Sequence, residues 1–124
     1  MKVTVLLSIL ALSAMADNSY SILVFNLEWP VTNCIAGSCP SGYEYQDFNI
    51  HGLWPSFSSA TSGPSYCSNV PYGNNSSLEA RMKQHWKSDA QSDEDFWTHE
   101  WTKHGTCFKD GEQPEDFFTT VLNL

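Results

Sequence analysis

Apolar positions along the chain fall into stretches of different period. From Ser21 to Trp29 (S-I-L-V-F-N-L-E-W) the residues are largely β-branched, aliphatic or aromatic, which predicts a strand. Leu23, Phe25, Leu27 and Trp29 would face one way, and Ile22, Val24, Asn26 and Glu28 the other. Apolar residues on both faces of its first half predict a central strand, ended by Pro30. A second strand is expected over Phe48 to Trp54, leaving through Gly52 and Pro55. Ser56 to Gly73, rich in Ser, Gly and Pro, reads as a long surface loop.

Helical periods follow. Ser76-x-x-Glu79 has the form of a capping box, and Leu78, Met82 and Trp86 then recur at i, i+4 and i+8. Ser92 followed by Asp93-Glu94-Asp95 opens a second helix that runs through Phe96 to His104 and stops at Gly105. Pro114, with Glu115 and Asp116, opens a third, striped by Phe117, Phe118, Val121, Leu122 and Leu124. Strands and helices are segregated along the chain, which predicts an α+β fold with a central antiparallel sheet and packed helices.

Ahead of the first strand, Lys2 precedes a mostly apolar run from Val3 to Leu12, and Ala14-Met15-Ala16 has the A-x-A form of a cleavage site. Residues 1–16 therefore read as a secretory signal peptide, leaving one domain over 17–124. The run is well short of the ~20 apolar residues that span a bilayer. Secretion, or delivery to a lysosomal or vacuolar lumen, is the expected address, with no membrane contact after cleavage. Hydrophobic residues make up 41% and charged residues only 16%, a balance that fits a packed core and excludes a disordered tail. The formal charge of −8 excludes a tight, sequence-independent nucleic-acid binder that works by neutralising phosphates. Brief action on RNA through a local site stays open.

Four cysteines, Cys34, Cys39, Cys67 and Cys107, suit an exported chain with two disulfides, in any of three connectivities. Cys34 and Cys39 are near enough in sequence to close a small loop, which would leave Cys67 and Cys107 to staple distant segments. A zinc site is the weaker reading, because no C-x-x-C or H-x-x-x-H pair exists. Asn74 and Asn75 open overlapping glycosylation sequons in a Gly/Asn/Ser loop.

Chemistry concentrates in two segments, Phe48–Pro55 and Phe96–Cys107. On a helix, His99, Glu100, Lys103 and His104 share an arc of about 140°. Trp97 and Trp101 flank that arc and can bury it. The pattern is not a zinc protease motif: the residue four after His99 is Lys103, whose ammonium would repel a metal, and His104 comes one place too late. Two imidazoles, a carboxylate and an ammonium suit attack of a hydroxyl on a phosphodiester. One imidazole takes a proton from the nucleophile, the other gives one to the leaving oxygen, and the cation meets charge growing on the phosphoryl group. RNA supplies the nucleophile as its own 2′-hydroxyl, so neither metal nor cofactor is required. His85, outside both segments, reads as a bystander.

These segments, F-N-I-H-G-L-W-P and F-W-T-H-E-W-T-K-H-G-T-C, resemble the two active-site segments of the ribonuclease T2 family of secreted and lysosomal endoribonucleases. The likeness extends to Leu27-Glu28-Trp29-Pro30 and to the cysteine spacing. It implies cleavage of single-stranded RNA through a 2′,3′-cyclic phosphate by a monomer that spares DNA. His51 would be the general acid and His104 the general base, with Glu100 and Lys103 stabilising the phosphorane and His99 holding the phosphate. Trp54 and Phe96 would stack on the bases either side of the cut, at ~1–3 kcal/mol per base. The implied disulfides are Cys34–Cys39 and Cys67–Cys107. Two positions depart from the pattern. Ser56 replaces an acid that contacts the base in some relatives, and Glu28 stands where many have Gln. Family members also continue well past the second segment, whereas this chain stops inside the Pro114 helix. Its C-terminal part is thus expected to be missing, its last apolar stripe uncovered, and the product marginally stable, aggregation-prone and weakly active or inactive although its catalytic residues are all present. The competing reading is a secreted T2-like protein of weak or no activity that serves as a binding module.

Overall fold

A computed structural model describes residues 20–36, 47–58, 62–73, 76–109 and 113–124. The expected signal peptide, Cys39 with its bridge to Cys34, and the sequon residues Asn74 and Asn75 lie outside the described residues. The elements run β1 (Ile22–Glu28), α1 (Pro30–Ala36), β2 (Asn49–Ser56), α2 (Glu79–His85), α3 (Asp93–Lys103) and α4 (Pro114–Leu122), with a 3-10 turn at Gly105–Cys107. The α+β layout is the one the segregated pattern predicts. No helix among the described residues is long and apolar enough to cross a membrane.

The strands pair antiparallel, from Ile22 opposite Ser56 to Glu28 opposite Asn49. The ladder slips once: Asn26 faces Gly52, but Leu27 faces Ile50. His51 is therefore an extra residue in β2, a bulge that bends the strand and re-aims its side chains. Strict alternation would put His51 and Trp54 on opposite faces. With the bulge, both are half-buried while the residues around them are buried.

Met82 and Trp86 of the α2 segment, Trp97 and Trp101 of α3, and Phe117, Phe118 and Val121 of α4 form one core with Ile50 and Leu53 of β2. The expected central place of β1 is not found. Among the described residues it pairs with β2 alone, and Ile22, Leu23 and Leu27 are exposed. The helices build the core against β2, so β1 reaches it only through half-buried Phe25. The uncovered stripe on α4 is also corrected. Phe117, Phe118 and Val121 are at most 1% exposed, because Trp86, Trp101, Phe108 and Tyr72 already cover them; Leu124 alone of that stripe is exposed.

Local signals met different fates. Pro30 ends β1 as expected and also opens α1, which the pattern did not reveal; its preset φ suits the first turn of a helix too short to show a period. The Ser76 capping box does not form. Leu78 is the N-cap of α2 without a side-chain bond, and Glu79 instead pairs with Lys83 one turn on at 2.6 Å. Ser92 caps α3 as predicted, its Oγ accepting from the Asp95 N–H at 3.1 Å. The long loop is held on the end of α3: Cys67 is bonded to Cys107, Trp101 Nε1 donates to the Val70 carbonyl at 2.8 Å, and the Tyr66 N–H donates to the Lys103 carbonyl at 3.0 Å.

Candidate active site

The bulge in β2 and the last turns of α3 bring the two chemistry-bearing segments together. On the strand side, the His51 carbonyl accepts from Trp86 Nε1 at 2.9 Å, and the Trp86 carbonyl accepts from Trp97 Nε1 at 2.7 Å. Two indoles from the core thus fix the main chain at the bulge. The His51 ring lies edge-on between Trp54 and Phe96, with centroids 5.4 and 5.3 Å away. Phe96 is buried, so its described contact is with the imidazole.

Glu100 comes from the buried stripe of α3 and is only 1% exposed. Its carboxylate accepts from Trp54 Nε1 at 2.9 Å and stands 3.9 Å from His51 Nε2. This approach depends on Gly52. A Cβ there would overlap Glu100 Oε2 and come within 2.7 Å of Trp54 Nε1. One turn after Glu100, the His104 ring stacks on Trp54, with centroids 5.2 Å apart and planes 25° from parallel. Trp54 therefore has one imidazole stacked on it and another set perpendicular to it. Lys103 and His104 line a cleft of about 290 Å³ with Trp54, Ser56, Gly63 and Ser65, near the lower end of the usual range for small-molecule sites. His99 is exposed on the same helix arc. His85, in the last turn of α2, is half-buried.

The two central imidazoles are driven apart in acidity. The hydrogen bond from His51 to Glu28 raises its pKa against the pull of burial, and the charges of Glu100, Glu28 and Asp89 raise it further. His104 is pushed down to about 4, first by burial, then by Lys103, His99 and His51. Burial also lowers His99, helped by Lys103 and His51. Glu100 is raised by burial even though the Trp54 N–H, His51 and Lys103 favour its charge. Above about pH 4 His104 is therefore neutral, while His51 keeps its proton to higher pH. One charged and one neutral imidazole are the states that a general acid and a general base need.

Two contributors escaped the sequence reading. Glu28, noticed there only as a departure from the family pattern, meets His51 Nδ1 at 3.3 Å. Asn49 is fully buried, donates to Glu28 Oε1 at 2.7 Å, and clasps the Lys87 main chain at 2.8 Å through both its amide nitrogen and its oxygen. The bulge aligns these residues, and nothing in the residue pattern marks a bulge.

A sequence profile of the Ribonuclease T2 family matches residues 20–124. The chain is 33% identical to ribonuclease DdI of Dictyostelium discoideum, over 98% of its own length and 61% of the relative's. It is 36% identical to ribonuclease 1 of Arabidopsis thaliana, over 88% and 51%. Among solved structures, a variant of ribonuclease MC1, a protein of bitter gourd seeds, superposes with a TM-score of 0.73 at 31% identity, in complex with 5′-GMP. That match covers 85% of this chain and 56% of the other. The chain thus spans roughly half to three-fifths of the length of these relatives.

Proposed function

The chain belongs to the ribonuclease T2 family, and from that premise we propose that it is an endoribonuclease that cleaves single-stranded RNA by attack of the 2′-hydroxyl on the adjacent phosphorus. The observation that carries this reading is the pair of oppositely biased imidazoles gathered around Trp54 and Glu100. Neutral His104 takes the 2′-hydroxyl proton as the new oxygen–phosphorus bond forms. The bond to the 5′-oxygen breaks, and His51 gives its proton to that leaving oxygen. The products are a 2′,3′-cyclic phosphate and a free 5′-hydroxyl.

Lys103 faces the negative charge that gathers on the phosphoryl oxygens. Glu100, its acidity weakened by burial, serves the same intermediate either as a hydrogen-bond donor or by balancing the imidazolium. His99 holds the phosphate at the rim. Trp54 is the proposed base contact, and the cleft beside Trp54 and Ser56 takes the base on one side of the cut. Phe96, expected to stack on the other base, is buried and backs the His51 ring instead. A nucleotide in the ribonuclease MC1 neighbour supports a ligand of this class. The chemistry is complete without a metal, since imidazoles and an ammonium supply both proton transfers and charge stabilisation.

Purified chain incubated with single-stranded RNA should leave 2′,3′-cyclic phosphate ends, keep its rate in EDTA and spare DNA. Cleavage of DNA at a comparable rate overturns the reading.

A further inference from the structure

Glu28 ends β1 opposite Asn49, and the bulge turns the His51 ring back toward it. Its two carboxylate oxygens are used differently. Oε1 accepts from Asn49 Nδ2 at 2.7 Å, while Oε2 meets His51 Nδ1 at 3.3 Å and accepts from Asn33 Nδ2 at 3.2 Å. Asn49 is itself locked to the Lys87 main chain, so the carboxylate is gripped before it reaches the imidazole. The Glu28 side chain is 17% exposed and that of His51 40%, so the contact is partly shielded from water.

We propose that Glu28 is a positioning residue for His51: its carboxylate holds the ring by Nδ1, fixes the tautomer and orientation, and leaves Nε2 as the nitrogen that gives up its proton. The assignment rests on the functional reading above and deepens it, because it concerns how the general acid is held. A carboxylate on one imidazole nitrogen fixes which nitrogen does the chemistry and stabilises the imidazolium. After His51 releases its proton from Nε2, the Nδ1–H stays on Glu28, so the ring is returned to the same orientation for the next turnover.

Other charges face His51 as well. Glu100 approaches from α3 and Asp89 from the segment after α2, while His99 and His104 interact with it from the α3 side. The Glu28 hydrogen bond is nevertheless the largest influence in favour of its charged form. The glutamine that many relatives carry here could occupy the same space and still bond Asn49, but it would bring no charge.

Glu28→Gln is therefore the test, on the full chain, with two readouts. NMR titration of the histidine side chains should show the His51 midpoint moved to lower pH and its Nδ1–H signal altered. The alkaline limb of kcat/KM on a dinucleotide substrate should move down in step, giving a loss of about tenfold near neutral pH that shrinks toward pH 5. Glu28→Asp, which keeps the charge, should restore part of the shift. An unmoved His51 midpoint, or a loss equal at every pH, overturns the pairing and leaves Glu28 a structural residue. A wild-type chain that cuts no RNA overturns the functional reading and the catalytic meaning of the pair with it, whereas the unmoved midpoint in an active variant overturns the pair alone.

Discussion

His51 and His104 differ because of what surrounds each ring. His51 has carboxylates on both nitrogens' sides, whereas His104 is packed on Trp54 with Lys103 as its neighbour. His51→Ala and His104→Ala should each lower kcat by about 10²-fold or more, since each removes a partner in proton transfer. Glu100→Gln should cost less, because it can keep a bond with the Trp54 N–H, and His85→Ala should change little. Single-turnover rates on RNA separate these cases. The pH profile follows from the same surroundings. The base must be neutral, so kcat/KM should rise as pH passes about 4 and His104 loses its proton. The acid must be charged, so the rate should fall only once pH exceeds the raised His51 midpoint. An acid limb centred near the ordinary histidine value of ~6.5 would contradict the first half. Both histidines were legible in the sequence because each sits in a dense segment of unusual composition. Glu28 and Asn49 were not, because their value lies in a register that no local pattern encodes.

Bulged β2 and capped α3 differ in how well they could be read. The arc of His99, Glu100, Lys103 and His104 follows from helical period alone, and α3 realises it from the Ser92 cap onward. On β2, alternation would separate His51 from Trp54, and only the inserted residue reunites them. Gly52 is the other requirement of that strand. Gly52→Ala should force Glu100 and Trp54 apart and lower kcat by about 10²-fold, the usual penalty for a misplacement near 1 Å. The thermal transition should move far less than the rate. Near wild-type activity in that variant would show that the close approach is dispensable. Helix α1 was illegible for a different reason: seven residues give two turns, too few for an apolar stripe to repeat.

Taken together, the elements hold the cleft by fastening distant parts of the chain. Cys67–Cys107 closes a loop with a sequence separation of 40 and fastens the segment over Trp101 to the end of α3. Reducing it should destabilise the fold by about 4 kcal/mol in the chain-entropy account. Denaturant unfolding of the Cys67→Ala/Cys107→Ala variant measures this, and an unchanged midpoint would contradict it. The apolar stripe of α4, expected to lie bare, is covered from within the chain apart from Leu124, whereas Ile22, Leu23 and Leu27 of β1 are exposed. Sequence patterns marked which residues were apolar but not which surfaces would find each other. Trp86, read only as the end of a helical stripe, proves to be packed on Phe118 while its indole N–H holds the carbonyl of His51.

The stack of Trp54 on His104 also gives the protein an optical signal. A protonated imidazole against an indole face accepts an excited-state electron and quenches its fluorescence, whereas a neutral one does so poorly. Of the five tryptophans, Trp54 is the one described with its face stacked on an imidazole. The emission lost on replacing Trp54 with Phe should therefore shrink further as pH falls through about 4, beyond any quenching by charged His51 at the same indole. Because that titration needs no substrate, it reads the proton on His104 whether or not RNA is being cut. A difference signal that stays flat down to pH 3 would mean that the rings do not stack in solution.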